Sequence, residues 1–133
     1  MNKIPIATIS TFCENAVIEQ EQLTITKTFA YVVAKKLPAV LHGKFFAASM
    51  YIDDLQEPQK LLFRLVDHEG SPLWSKELEF VPRAVVSHRY VQQYVIQFAE
   101  LELTKTLYHL EIKHVSSGKI IVQTPLAVVV KGD

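Results

Sequence analysis

The 133-residue chain has one cysteine, four glycines and no net charge, since 14 Lys+Arg balance 14 Asp+Glu. The lone Cys13 excludes an internal disulfide framework and any cysteine-rich zinc site. The charge balance withholds the surplus of Lys and Arg that phosphate binding demands, so nucleic acid is not an expected partner. No apolar run approaches the roughly 18 residues of a membrane helix, and the densest patch, Leu126 to Val130, is only of strand length. The opening residues MNKIPIATIS are too polar for a secretory signal. A soluble, cytoplasmic protein without a membrane partner is the expectation. The chain also lacks a Gly-rich phosphate loop, a Gly-x-Ser-x-Gly elbow and any HxH or HExxH pairing. No enzyme, cofactor or metal is expected on these grounds.

What is present is apolar surface: 49% of the residues are hydrophobic and 21% charged, enough for one packed core. A single domain over residues 1–133 follows. The glycines and prolines fall between apolar runs, as turn residues do between strands. Leu23 to Phe29 alternates apolar and polar, with three threonines on one side, which predicts a half-buried strand. Lys44 to Ile52 is apolar on both parities, as a more buried strand would be.

Two hairpins are legible. Leu61 to Val66 leads through Asp67-His68-Glu69-Gly70 into Leu73 to Val81, with Gly70 supplying a positive φ. Tyr108 to Val115 leads through Ser116-Ser117-Gly118 into Lys119 to Gln123. Its first arm sets Tyr108, Leu110 and Ile112 against His109, Glu111 and Lys113. The spacing of Tyr90, Val91, Tyr94, Val95 and Phe98 fits a helix as well as a strand.

Short strands with turn signals between them predict an antiparallel, immunoglobulin-like β-sandwich of seven or eight strands. Tyr108, following Leu103 and a turn, has the pattern of a tyrosine corner. Pro125 breaks the last apolar run. Leu126 to Val130 is therefore expected to begin a new pairing at or near an edge, covered by this chain or by a second copy. A homodimer is one expected form of association.

In the order of these features the chain resembles an uncharacterised bacterial family of small single-domain β-sandwiches, a domain of unknown function. The residues that carry the resemblance are Cys13-Glu14-Asn15-Ala16, Gln22-Leu23-Thr24-Ile25 and Phe29, then Leu65 to Gly70 and Leu103 to Ile112. Glu21 and Gln22 stand where that family has a Gly, and Lys105-Thr106 where it has Pro-Gly. The resemblance implies a strand over Tyr90 to Phe98 and brings no activity with it.

Few constellations invite chemistry. Cys13 with a histidine would make a nucleophile pair, but a lone Cys ending an apolar strand reads better as a small buried hydrophobe. His109 and His114 differ by an odd number on one strand and so point to opposite faces. His42 and His68 read as connection residues, His88 as preceding a strand, and scattered solvated histidines as the simplest account. Asp53, Asp54 and Glu57 form an acidic loop without calcium-loop spacing. Arg83, His88 and Arg89, with Tyr90 beside them, form the one basic cluster and the candidate contact for an anionic ligand. The expected role is a non-enzymatic module that works by protein contact. The alternative is a small-molecule or carbohydrate site using Tyr51, Trp74, Tyr90 and Tyr94.

Overall fold

A computed structural model describes residues 4–54, 57–81, 84–86 and 89–132, the third of these segments as backbone alone. Ten strands and no helix occur among them: β1 Ile6–Glu19, β2 Gln22–Phe29, β3 Tyr31–Ala34, β4 Ala39–Ile52, β5 Gln59–Asp67, β6 Pro72–Phe80, β7 Ala84–Val86, β8 Arg89–Leu103, β9 Leu107–His114 and β10 Ile120–Val130. They form two five-stranded sheets, ordered β2-β1-β4-β8-β7 (sheet A) and β3-β10-β9-β5-β6 (sheet B). The all-β expectation is met, while the strand number and the pairing need correction. There are ten strands rather than seven or eight, and β3 runs parallel to β10 in an otherwise antiparallel pair of sheets.

Alternation explains why the sheets close on each other. Phe46, Ala48, Met50 and Ile52 on β4 and Tyr94, Ile96 and Phe98 on β8 turn one parity inward. Leu61, Phe63 and Leu65 on β5 and Tyr108, Leu110 and Ile112 on β9 do the same from sheet B. Phe12, Phe46, Phe63 and Tyr94 link ring to ring through the interior, with centroids 5.3, 6.5 and 5.1 Å apart in that order. Two polar bonds tie the sheets at their flanks. The Tyr94 hydroxyl donates to the Glu79 carbonyl at 3.0 Å, and the hydroxyls of Ser10 and Thr124 lie 2.5 Å apart.

The expected strand over Leu23 to Phe29 is β2, but it does not keep one face throughout. Phe29 packs against the central core, whereas Leu23 and Ile25 join a second cluster with Cys13, Ala16 and Ala47. The switch falls at Lys27, whose φ of 54° lies in the left-handed region. A neighbouring break occurs on β4 at Gly43, φ 62°: Ala39 and Leu41 join the central core before it, and Phe46, Ala48, Met50 and Ile52 after it. Inverting a residue's handedness flips the parity that follows, so sheet A carries apolar contacts on both of its faces.

Tyr108 is buried, and its hydroxyl accepts the N–H of Thr104 at 2.9 Å and of Lys105 at 3.0 Å. It thereby fastens the connection that leaves sheet A after the buried Leu103 and enters sheet B at β9. In the first hairpin Asp67 Oδ1 accepts the N–H groups of Glu69 and Ser71, and Gly70 takes φ 86°. In the second, Gly118 takes φ 74° and donates to the His114 carbonyl at 2.8 Å.

Pro125 does not interrupt its strand, contrary to the sequence expectation. β10 is continuous and pairs with β9 from Ile120 to Ala127, Pro125 lying opposite His109. The N–H groups of Ala127 and Lys131 point toward β3, so position 125 faces that side too. β3 has not yet begun there, its partners being Ala127 to Val130, and the missing proline donor deprives no ladder bond. The apolar run Leu126 to Val130 is flanked by β9 and β3 of the same chain. It therefore supplies no argument for a second subunit.

Two stability outcomes follow. Tyr108→Phe strands two main-chain donors and should cost about 1–3 kcal/mol, and Tyr108→Ala about 3–5 kcal/mol, read from denaturant midpoints. Gln20 and Glu21 make the two-residue turn between β1 and β2 with φ of 50° and 63°. Both left-handed positions favour Asn-Gly, so the double change Gln20→Asn, Glu21→Gly should raise stability by about 1 kcal/mol. A lowered melting temperature would contradict that account of the turn.

Candidate interaction surface

A β-sheet exposes unpaired main-chain groups at its edges, and stable proteins usually blunt them. β6 carries Lys76, Glu77 and Glu79 with Pro72 at its start, and β2 carries the left-handed Lys27. β7 is three residues long, and β8 beyond it bears Glu100 and Glu102. β3, at four residues, is short as well but has none of the other protections. Its residues Tyr31-Val32-Val33-Ala34 include no charge, no proline and no bulge.

The parallel pairing to β10 fixes which groups are open. The carbonyls of Ala30 and Ala34 accept from the N–H groups of Ala127 and Lys131, at 3.0 and 2.9 Å. Strand alternation then turns the groups of Val32 the same way, and those of Tyr31 and Val33 to the free side. Two N–H donors and two C=O acceptors lie along that edge, with no partner among the described residues. The side chains alternate as well. Val32 and Ala34 pack against the core, while Tyr31 and Val33 are 59% and 57% exposed on the outer face. Across the register their neighbours are Ala127 and Val129, then Leu107, giving an uncharged strip beside the open edge.

β3 escaped the sequence reading because four apolar residues carry no alternation of polarity. Its partner also lies at the far end of the chain. The signal that was available is the β-branched pair Val32-Val33 next to Tyr31.

The residues singled out for an anionic ligand are not brought together as an open site. Arg83 and His88 lie outside the described residues. The guanidinium of Arg89 sits 4.5 Å from the Tyr51 ring centroid and 3.4 Å from Asp53 Oδ1, so its charge already has an aromatic face and a carboxylate. Tyr90 packs, half-buried, against the core. The aromatics of the alternative reading are engaged too. Trp74 meets Phe98 edge-on at 5.1 Å, Tyr94 is buried, and Tyr51 lies under Arg89.

Cys13 is fully buried beside Ala16 and Ala47, and desolvation, reinforced by the charge of Glu14, pushes its thiol pKa up. Such a thiol is a poor nucleophile. Among the described residues no group of three His, Cys, Asp or Glu could hold a metal ion, and no helix is long and apolar enough to cross a membrane.

The histidines are not uniformly solvated connection residues. His42 lies on β4 opposite Glu100. His114 is buried, with Nδ1 2.6 Å from Ser117 Oγ and Nε2 2.9 Å from Gln59 Oε1. Ser117 Oγ also accepts the Lys119 N–H, which leaves its hydroxyl proton for Nδ1. In the neutral ring that burial favours, Nε2–H donates to Gln59 Oε1. Glu111, on the outer parity of β9, is nonetheless buried and paired with Arg64, whose Nε donates to Oε1 at 2.8 Å. Parity placed both faces correctly, but it says nothing of what long side chains lie over them.

Burial pushes the His114 pKa below its ordinary 6.5. Above that pH the ring is neutral folded and unfolded, and stability from this group is complete. Below 6.5 the unfolded chain takes up a proton that the folded chain resists, so stability falls with pH. Thermal melts should show that decline, and His114→Gln should reduce its slope. A slope identical in the two proteins would contradict the burial of a neutral ring.

No curated protein matches this chain. The family model described as "Family of unknown function (DUF6941)" matches residues 8–129, and so takes in every strand except the first two residues of β1 and the last of β10. With that span the chain belongs to this family of unknown function.

Proposed function

We propose that the protein is a non-enzymatic interaction module that receives an extended polypeptide segment along β3. The observation behind this reading is the row of outward N–H and C=O groups of Tyr31 and Val33 on an uncharged edge. An added strand satisfies such groups, and side chains on alternate positions provide the selectivity. The Tyr108 hydroxyl bonded to upstream main chain supports an immunoglobulin-like description of the sandwich. A cytoplasmic setting belongs to the same reading, supported by the single cysteine and its burial as a thiol. Carbohydrate or metabolite binding is the weaker reading, because the aromatics that would serve it are already engaged.

The test places a photo-cross-linking phenylalanine analogue at Tyr31, with a control at Lys76 on the charged β6 edge. Polypeptide should be captured from position 31 and not from position 76. Capture should be lost when Val33→Pro removes one outward donor without touching the bonds to β10. The reading is overturned if position 31 captures nothing. It is equally overturned if a sugar or metabolite stabilises the protein saturably in thermal shift and Val33→Pro leaves that effect intact.

A further inference from the structure

We infer that the strand received by β3 is the β3 of a second copy, paired antiparallel about a two-fold axis through Val32. This deepens the edge reading and rests on it. The argument is one of parity. The open groups belong to Tyr31 and Val33, and in an antiparallel pair two residues exchange both bonds only when each turns its groups to the other. Setting Tyr31 opposite the second copy's Val33 meets that condition twice. All the outward N–H and C=O groups of Tyr31 and Val33 in both copies are then consumed.

The side chains obey the same register. Directly opposite residues point to one face of an antiparallel pair, and Tyr31 and Val33 share the outer face. The two-fold therefore creates a Tyr–Val cross-strand pair on each side of the axis, an aromatic against a β-branched side chain. Val32 meets its own copy on the core-facing side. A shift by one residue would set inward side chains against outward ones and leave the open groups misaligned.

Charge favours the antiparallel arrangement as well. Lys35 and Lys36 follow β3 directly, and no charge lies within it. Antiparallel pairing sends the two lysine pairs to opposite ends of the joint, whereas a parallel pairing would set them side by side. The joined sheets B would form one continuous sheet, with β3 no longer an edge in either copy. A contact of this kind is closed, because the same surface serves both partners and leaves none free for a third chain.

The mass and register of the assembly test this directly. Wild-type protein at high micromolar concentration should sediment at twice the chain mass, and Val33→Pro should sediment as a folded monomer with an unchanged circular dichroism spectrum. In a Cys13→Ala background, Tyr31→Cys and Val33→Cys chains are prepared separately and then mixed under oxidising conditions. Opposite residues in this register have Cα atoms about 5.5 Å apart, within disulfide reach. The mixture should yield a disulfide-linked dimer and neither chain alone should do so. A monomeric wild type, a dimer that survives Val33→Pro, or a disulfide in either chain alone overturns the two-fold pairing. Monomeric wild type combined with capture of a different polypeptide at Tyr31 overturns this inference and leaves the edge reading standing. Absence of any capture removes both.

Discussion

Four residues of parallel pairing, Tyr31 to Ala34 against Ala127 to Val130, decide what surface this sandwich presents. They flank the apolar C-terminal run on its free side, which would otherwise be an exposed hydrophobic edge. In doing so they transfer the edge to β3 and fix its phase. Because Ala30 and Ala34 bond inward, Tyr31 and Val33 must bond outward or not at all. The main-chain groups and the exposed side chains of those two residues thus belong to the same edge. Neither feature would mark a binding surface by itself.

The rest of the structure holds that edge in place. Tyr108 holds the crossing between the sheets from the side of β9, the strand that supports β10. Tyr94 and Glu79 join the sheets at one flank, and Ser10 and Thr124 at the other. The β6 and β8 edges carry charge, β7 is short and β2 is locally left-handed, which disfavours strand addition at those edges. Net neutrality fits such a role, since repulsion between copies of a balanced chain is weak.

Much of this was legible in the sequence, for reasons that differ by element. The two hairpins showed themselves because Gly70 and Gly118 sit where a left-handed residue is needed between alternating runs. Tyr108 was legible from its place after Leu103 and a turn. β8 was ambiguous by periodicity, and the family resemblance made it a strand. β3 was hidden by its length and uniform polarity, and its parallel pairing to β10 is a long-range contact that no local pattern announces. Pro125 misled because a proline is harmless wherever its absent donor faces an open side, and which side that is depends on β3. The proposed anion cluster came from neighbours in sequence. In space Arg89 turns to Asp53 and Tyr51.

The central claim is the phase of β3: even-numbered residues bonded to β10, odd-numbered ones open. Residue-resolved amide hydrogen exchange in dilute solution reads this most directly. The N–H groups of Val32 and Ala34 should be protected and those of Tyr31 and Val33 should exchange at rates close to an unstructured chain. Equal protection of all four amides in dilute monomer, or protection of the odd pair alone, would contradict the account.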